Sequence, residues 1–141
     1  MQYKYRFMKG GVGLAADLSA HTEESESTPS TAVQIYQRLH VRLPTGHIYW
    51  KDAAWLSYGL SLHAAELSPV DEGHLLVVVD SFTYPGADYR SEVAALAIDG
   101  WVHQRLNTPP CGISVSFDRS HRQFRFDWGP GMVPFNDDLP G

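Results

Sequence analysis

Apolar and polar residues alternate along much of the chain, and the places where the alternation changes period mark its elements. Tyr3, Tyr5 and Phe7 interleave with Gln2, Lys4 and Arg6, the period of two of a half-buried strand. The glycines of Lys9 to Gly13 break it. From Ala20 to Thr31, Ser, Thr, Glu and Pro29 leave almost nothing to bury, and the stretch reads as a mobile acidic loop. Val33 to Leu43 reads as a single strand, with Val33, Ile35, Leu39, Val41 and Leu43 on one face and Gln34, Tyr36, Arg38, His40 and Arg42 on the other. Ile48 to Trp50 follows a Pro44-Thr45-Gly46 turn and could form a short return strand.

A helical period then takes over. Lys51 to Leu67 places Leu56, Leu60, His63 and Leu67 on one stripe with Trp55, Tyr58 and Leu62 nearly opposite, so this helix needs cover on more than one face. Leu75 to Val79 is the continuous β-branched and leucine run of a central strand buried on both faces. A second helix is expected from about Asp88 to Leu106, stopped by Pro109 and Pro110. Ile113 to Phe117 and Phe124 to Trp128 alternate around a polar turn and predict a β-hairpin. The tail at 129–141 is rich in proline and glycine and reads as partly extended. Strands and helices in this order predict one α+β domain over 1–141. Its expected form is a two-layer sandwich, a mixed and mostly antiparallel sheet with two helices packed on one face.

Composition narrows the class. A chain of 141 residues is one domain by length, and 43% apolar with 19% charged residues excludes wholesale disorder. The single cysteine, Cys111, is read as ruling out a disulfide staple or a Cys-ligated zinc site. No apolar run approaches the roughly eighteen residues of a membrane span, and Met1 to Arg6 lacks the apolar region of a secretory signal, so a cytoplasmic setting is expected.

Candidate chemistry is sparse. Lys9 to Gly13 has glycines but neither the Lys-Ser/Thr pair of a P-loop nor the flanking elements of a dinucleotide fingerprint. The seven histidines contain no i, i+4 pair of the kind that binds zinc on a helix, so neither metal nor cofactor is expected. Asp99 and His103 lie one helical turn apart, with Glu92 on the same stripe, which is half of a general-base arrangement and equally what a solvated face looks like. Cys111 has no base near it in sequence.

Charge is the more informative signal. The chain carries a formal net charge of −5, yet the outward positions of three expected strands hold Lys4, Arg6, Arg38, His40, Arg42 and Arg125, with Tyr36 among them. If those strands are neighbours, they form a basic sheet face that attracts a protein with an acidic surface or another anionic ligand. Nucleic acid fits less well, because the whole chain is acidic and few aromatics share that face. The expected function is therefore a small binding domain, inhibitor-like or immunity-like. The alternative is a small-molecule enzyme with a pocket lined by Tyr84, Asp88, Tyr89, Arg90 and His63, using a His/Asp acid-base pair.

Overall fold

The computed structural model describes residues 1–9, 11–84, 89–109, 111–130 and 132–135. Strands β1 (Gln2–Lys9), β2 (Val12–Ser25), β3 (Val33–Tyr36), β4 (Leu39–Arg42) and β5 (His74–Thr83) form one sheet in the order β1-β2-β5-β4-β3. Its pairings are antiparallel except for β4 with β5. Helices α1 (Trp50–Ser61), α2 (Ala64–Leu67) and α3 (Glu92–Leu106) complete the α+β fold. The hairpin β6 (Ser114–Asp118) and β7 (Gln123–Asp127) is a separate two-stranded sheet.

One face of the large sheet makes the core. Leu14, Ala16, Leu18 and Ala20 of β2, Val77 and Val79 of β5, and Leu39 and Val41 of β4 pack against Leu56 and Leu60 of α1 and against Val93, Ile98 and Trp101 of α3. The expected sandwich with both long helices on one side is what forms. Gly59 of α1 lies so close to α3 that an added Cβ would stand 2.6 Å from the Ala95 carbonyl oxygen. A glycine there lets the two backbones approach.

Four expectations need correction. Ala20 to Ser25 is not loop: β2 runs through it and pairs with β5 as far as Ser25 with His74. Backbone hydrogen bonds to a central strand hold this polar stretch, which side-chain burial alone does not reveal. Val33 to Leu43 is not one strand but a hairpin turning at Gln37 and Arg38, a pair with none of the usual Asn-Gly turn chemistry. The first helix breaks after Ser61, and His63 opens the short α2 with φ −107° and ψ 12°. Tyr49 and Trp50 begin that helix and form no strand.

The second helix starts at Glu92, and Asp88 lies outside the described residues. Of the tail, 131 and 136–141 lie outside the described residues, and Phe135 packs edge-on against Trp55 with ring centroids 4.8 Å apart.

Candidate functional site

The residues expected to make a basic face are only partly brought together. Tyr36 pairs in register with the core residue Leu39, because an irregularity between Gln34 and Tyr36 shifts the phase, and its half-buried ring packs on the core. Arg125 sits on the separate hairpin, where its guanidinium donates to Asp118 at 2.8 Å. That pair, with His121, holds the Asp118 carboxyl down at about 2. Arg38 is in the β3–β4 turn.

Lys4, Arg6, His40 and Arg42 do face away from the helices, but acidic groups share that face. Arg6 pairs with Asp17 of β2 at 2.8 Å, and His21 lies between Asp80 and Glu23, 2.9 Å from each. Those two carboxylates raise the His21 pKa. Arg42 donates to the Ser30 carbonyl. His40 is buried, bonds His74 at 2.9 Å, and is pushed below the ordinary histidine value by burial and then by His74. The outer face is thus of mixed sign.

The alternative pocket also divides. Tyr84 and Tyr89 stack with centroids 3.8 Å apart, and Tyr89 donates to the buried Asp52 of α1 at 2.7 Å. Arg90 pairs with Glu92. His63 is elsewhere, bound to residues that sequence reasoning did not connect to it.

Tyr89 and Arg90 instead line a cleft of about 580 Å³ with Trp50, Lys51, Trp55 and Phe135. Its rim is unusually apolar for solvent-facing surface: Trp50 is 68% exposed and Phe135 56%. Its floor is an aromatic stack in which Trp55 lies on Trp128 at 5.1 Å, with Tyr58 edge-on to both. The first turns of α1 and α3 contribute Trp50, Lys51 and Glu92 to the cleft, and neither helix has a side-chain cap on its N-terminal N–H groups. The first turns also carry the acids Asp52 and Glu92, of which Glu92 pairs with Arg90, so the cleft's charges are Lys51 and that ion pair beside the positive ends of two helix dipoles. The Lys51 ammonium stands 5.5 Å over the Trp50 ring.

The strongest convergence of reactive side chains is elsewhere. His63, fully buried at the α1–α2 break, places Nε2 2.7 Å from Oδ1 of Asp99 on α3. Cys111 Sγ, from the segment leading into β6, lies 3.3 Å from the same Nε2. Asp99 therefore turns to His63 and not to His103, which donates to the Thr108 carbonyl. Burial, reinforced by the Asp99 carboxylate, pushes the Cys111 thiol up to about 12. It is a neutral thiol near pH 7, and its carboxylate partner meets the same ring nitrogen that it does. A Cys-His nucleophile needs base and orienting group on opposite ring nitrogens and a lowered thiol pKa, so this cluster is not arranged for nucleophilic catalysis. Nearby, the Tyr58 hydroxyl is buried without a hydrogen-bond partner among the described residues, and its pKa is raised by burial and by Cys111.

Comparison of the chain with protein-family models, with curated proteins and with solved structures gives no match. Among the described residues no helix is long and apolar enough to cross a membrane.

Proposed function

We propose that this protein is a small cytoplasmic binding domain that captures an acidic segment of a partner protein in the cleft between the starts of α1 and α3. The observation that carries the reading is Trp50, a large aromatic 68% exposed beside Lys51 at the mouth of an aromatic-floored cleft. Exposed Trp residues next to a cation are what interface anchors are made of, because they supply contact area at little cost in side-chain entropy. The occupant's charge follows from the electrostatics. Lys51, which has no salt-bridge partner among the described residues while Arg90 is paired with Glu92, favours a carboxylate, and Trp55 and Phe135 favour an apolar side chain next to it. This moves the acidic-partner expectation from the sheet face, whose charges largely cancel, to a surface where aromatic and positive groups coincide. The lone free thiol of Cys111 suits a reducing compartment.

Selection from a displayed library of random peptides tests the reading. Enriched peptides are expected to pair Asp or Glu with an aromatic or leucine. Their binding should quench or shift tryptophan fluorescence, fall at least about tenfold on Trp50→Ala, the loss of a hot-spot residue, and weaken on Lys51→Glu. Lys4→Glu and Arg42→Glu should leave it unchanged. Enrichment of basic peptides, no enrichment, or binding lost on Lys4→Glu and Arg42→Glu but kept on Trp50→Ala would each reject the cleft as the docking site.

A further inference from the structure

We infer that His63, Asp99 and Cys111 form a mononuclear binding site for a divalent transition-metal cation of the zinc type. The argument is independent of the cleft. An imidazole nitrogen, a carboxylate oxygen and a sulfur, contributed by three chain segments far apart in sequence, all lie within 4.8 Å of one another. This is a borderline-soft donor set, one that suits zinc and cobalt and not magnesium or calcium. Counting cysteines pointed away from a Cys-ligated site, but a mixed set needs one.

The donor spacing is close to what an ion requires. Tetrahedral angles with zinc–ligand bonds of about 2.0–2.3 Å put donors roughly 3.4–3.6 Å apart. His63 Nε2 is 2.7 Å from Asp99 Oδ1 and 3.3 Å from Cys111 Sγ, so an ion needs the first pair to open by about 0.7 Å and the second by roughly 0.2 Å. Sγ also lies 3.7 Å from Nδ1 and so sits over the ring face, and coordination requires the Cys111 side chain to rotate until Sγ lies beyond Nε2, beside an ion on that nitrogen's in-plane lone pair. Cys111 is on an irregular segment before β6, where such a rotation displaces no helix or strand.

Two further features point to an incomplete polar set. His63 Nε2 meets both the Asp99 carboxylate and the Cys111 sulfur, so a cation seated there would be bonded by all three residues at once. The Tyr58 hydroxyl, on the ring packed in one cluster with Leu62 and Ile113, is buried and has no hydrogen-bond partner among the described residues. His63 is inaccessible, while Asp99 and Cys111 retain some exposure, so an ion enters from their side and keeps its fourth position toward solvent. Three protein ligands and one open position is the pattern of an exchangeable or reactive zinc, not of a closed structural one. On binding, the thiol releases its proton to solvent and coordinates as thiolate, and the imidazole gives up the Nε2 proton it shares with Asp99 and takes one from solvent on Nδ1, so Nε2 presents its lone pair to the ion.

Titration of the purified full chain with Co²⁺ tests the site, and the sequence makes the test unusually direct. Because Cys111 is the single cysteine, any thiolate-to-cobalt charge-transfer band reports on one atom. The expected result is a one-to-one endpoint with that band in the near ultraviolet and intense tetrahedral d–d absorption in the visible, both bleached by Zn²⁺. Cys111→Ser should abolish the charge-transfer band, and Asp99→Asn should weaken binding by about tenfold or more, since even outer-shell changes cost that much. His47→Ala and His103→Ala should change neither. Zn²⁺ should raise the melting temperature of the parent protein and not of Cys111→Ser, a variant whose fold circular dichroism can confirm. A folded parent protein that gives no thiolate band, or a cobalt spectrum identical in Cys111→Ser, overturns the assignment.

Discussion

Gly59 and Gly100 both occupy helix interiors, and helix propensity alone says that alanine improves each by about 1 kcal/mol. Packing separates them. At Gly59 a new Cβ meets the Ala95 carbonyl oxygen and the Ile98 methyl at 2.6 Å, and the Ala95 Cα at 2.7 Å. Two of these three atoms are backbone of α3, so no rotamer change relieves the contact. Restoring even a tight 3.4 Å separation pushes the helices apart by about 0.8 Å, from 2.6 Å, and a gap of that size forfeits a quarter to a half of each dispersion contact it opens. Overpacking of this kind costs about 1–3 kcal/mol, and a backbone clash belongs at or above the top of that range.

After the propensity gain, Gly59→Ala should destabilise by about 2 kcal/mol, or roughly 6 °C in melting temperature for a domain of this size. At Gly100 the new Cβ meets the outer end of the Tyr3 side chain at 2.3 Å, on the edge strand β1. That ring can rotate, so Gly100→Ala should stay within about 1 kcal/mol of the parent. Thermal and urea unfolding of the two variants read this directly. A Gly59→Ala protein as stable as the parent would refute the close approach of α1 to α3, and with it the placement of His63 against Asp99.

Burial along β5 makes a second comparison: Val77 points into the core and Val78 to the outer face, so Val77→Ala should cost about 1–3 kcal/mol and Val78→Ala distinctly less, read as urea midpoints. Equal midpoints would mean that the register of β5 is wrong. A third prediction concerns pH. The folded pKa of His40 lies below its unfolded value of 6.5, so stability attributable to it is intact above that value and is lost as pH falls below it. His21 has the opposite sign: its contribution is full below 6.5 and fades as pH rises through its raised folded value. His21→Gln should therefore lose stability relative to the parent below pH 6.5 and converge with it at higher pH, whereas His40→Asn should flatten the decline on the acid side; urea midpoints across the range that show the reverse would contradict both assignments.

The sandwich was legible because its strongest signals are local. Leu75 to Val79 announces a central strand, and the alternation around Tyr5 and Val41 announces which faces are buried. Signals that depend on partners were not. Ala20 to Ser25 looks like loop until β5 supplies its hydrogen bonds, and the Gln37–Arg38 turn carries no turn residues. The same limit hid the metal cluster. Helical spacing offers Asp99 the nearby His103, whereas the close approach at Gly59 brings it His63 from 36 residues away. One signal was available: a glycine in the middle of an otherwise apolar helix marks a place where another backbone comes near, and its neighbour one turn on is His63.

The cleft and the metal cluster lie on opposite ends of a continuous aromatic layer. Trp55 lines the cleft and stacks on Trp128; Tyr58, one turn further along α1, packs edge-on against both rings and clusters with Leu62 and Ile113, close in the chain to His63 and Cys111. The segment that carries Cys111 also leads into the β6–β7 hairpin, which rests on the core through Val115, Phe124 and Phe126. A cation held by His63, Asp99 and Cys111 ties that segment to both α1 and α3, the two helices whose starts frame the cleft. The sites share no side chain, so Trp50→Ala acts on one and Cys111→Ser on the other. Comparing peptide affinity with and without bound cation in the parent protein and in Cys111→Ser would then measure how far the aromatic layer transmits, since any change present in the parent and absent in the variant must pass through Tyr58, Trp128 or the helices themselves.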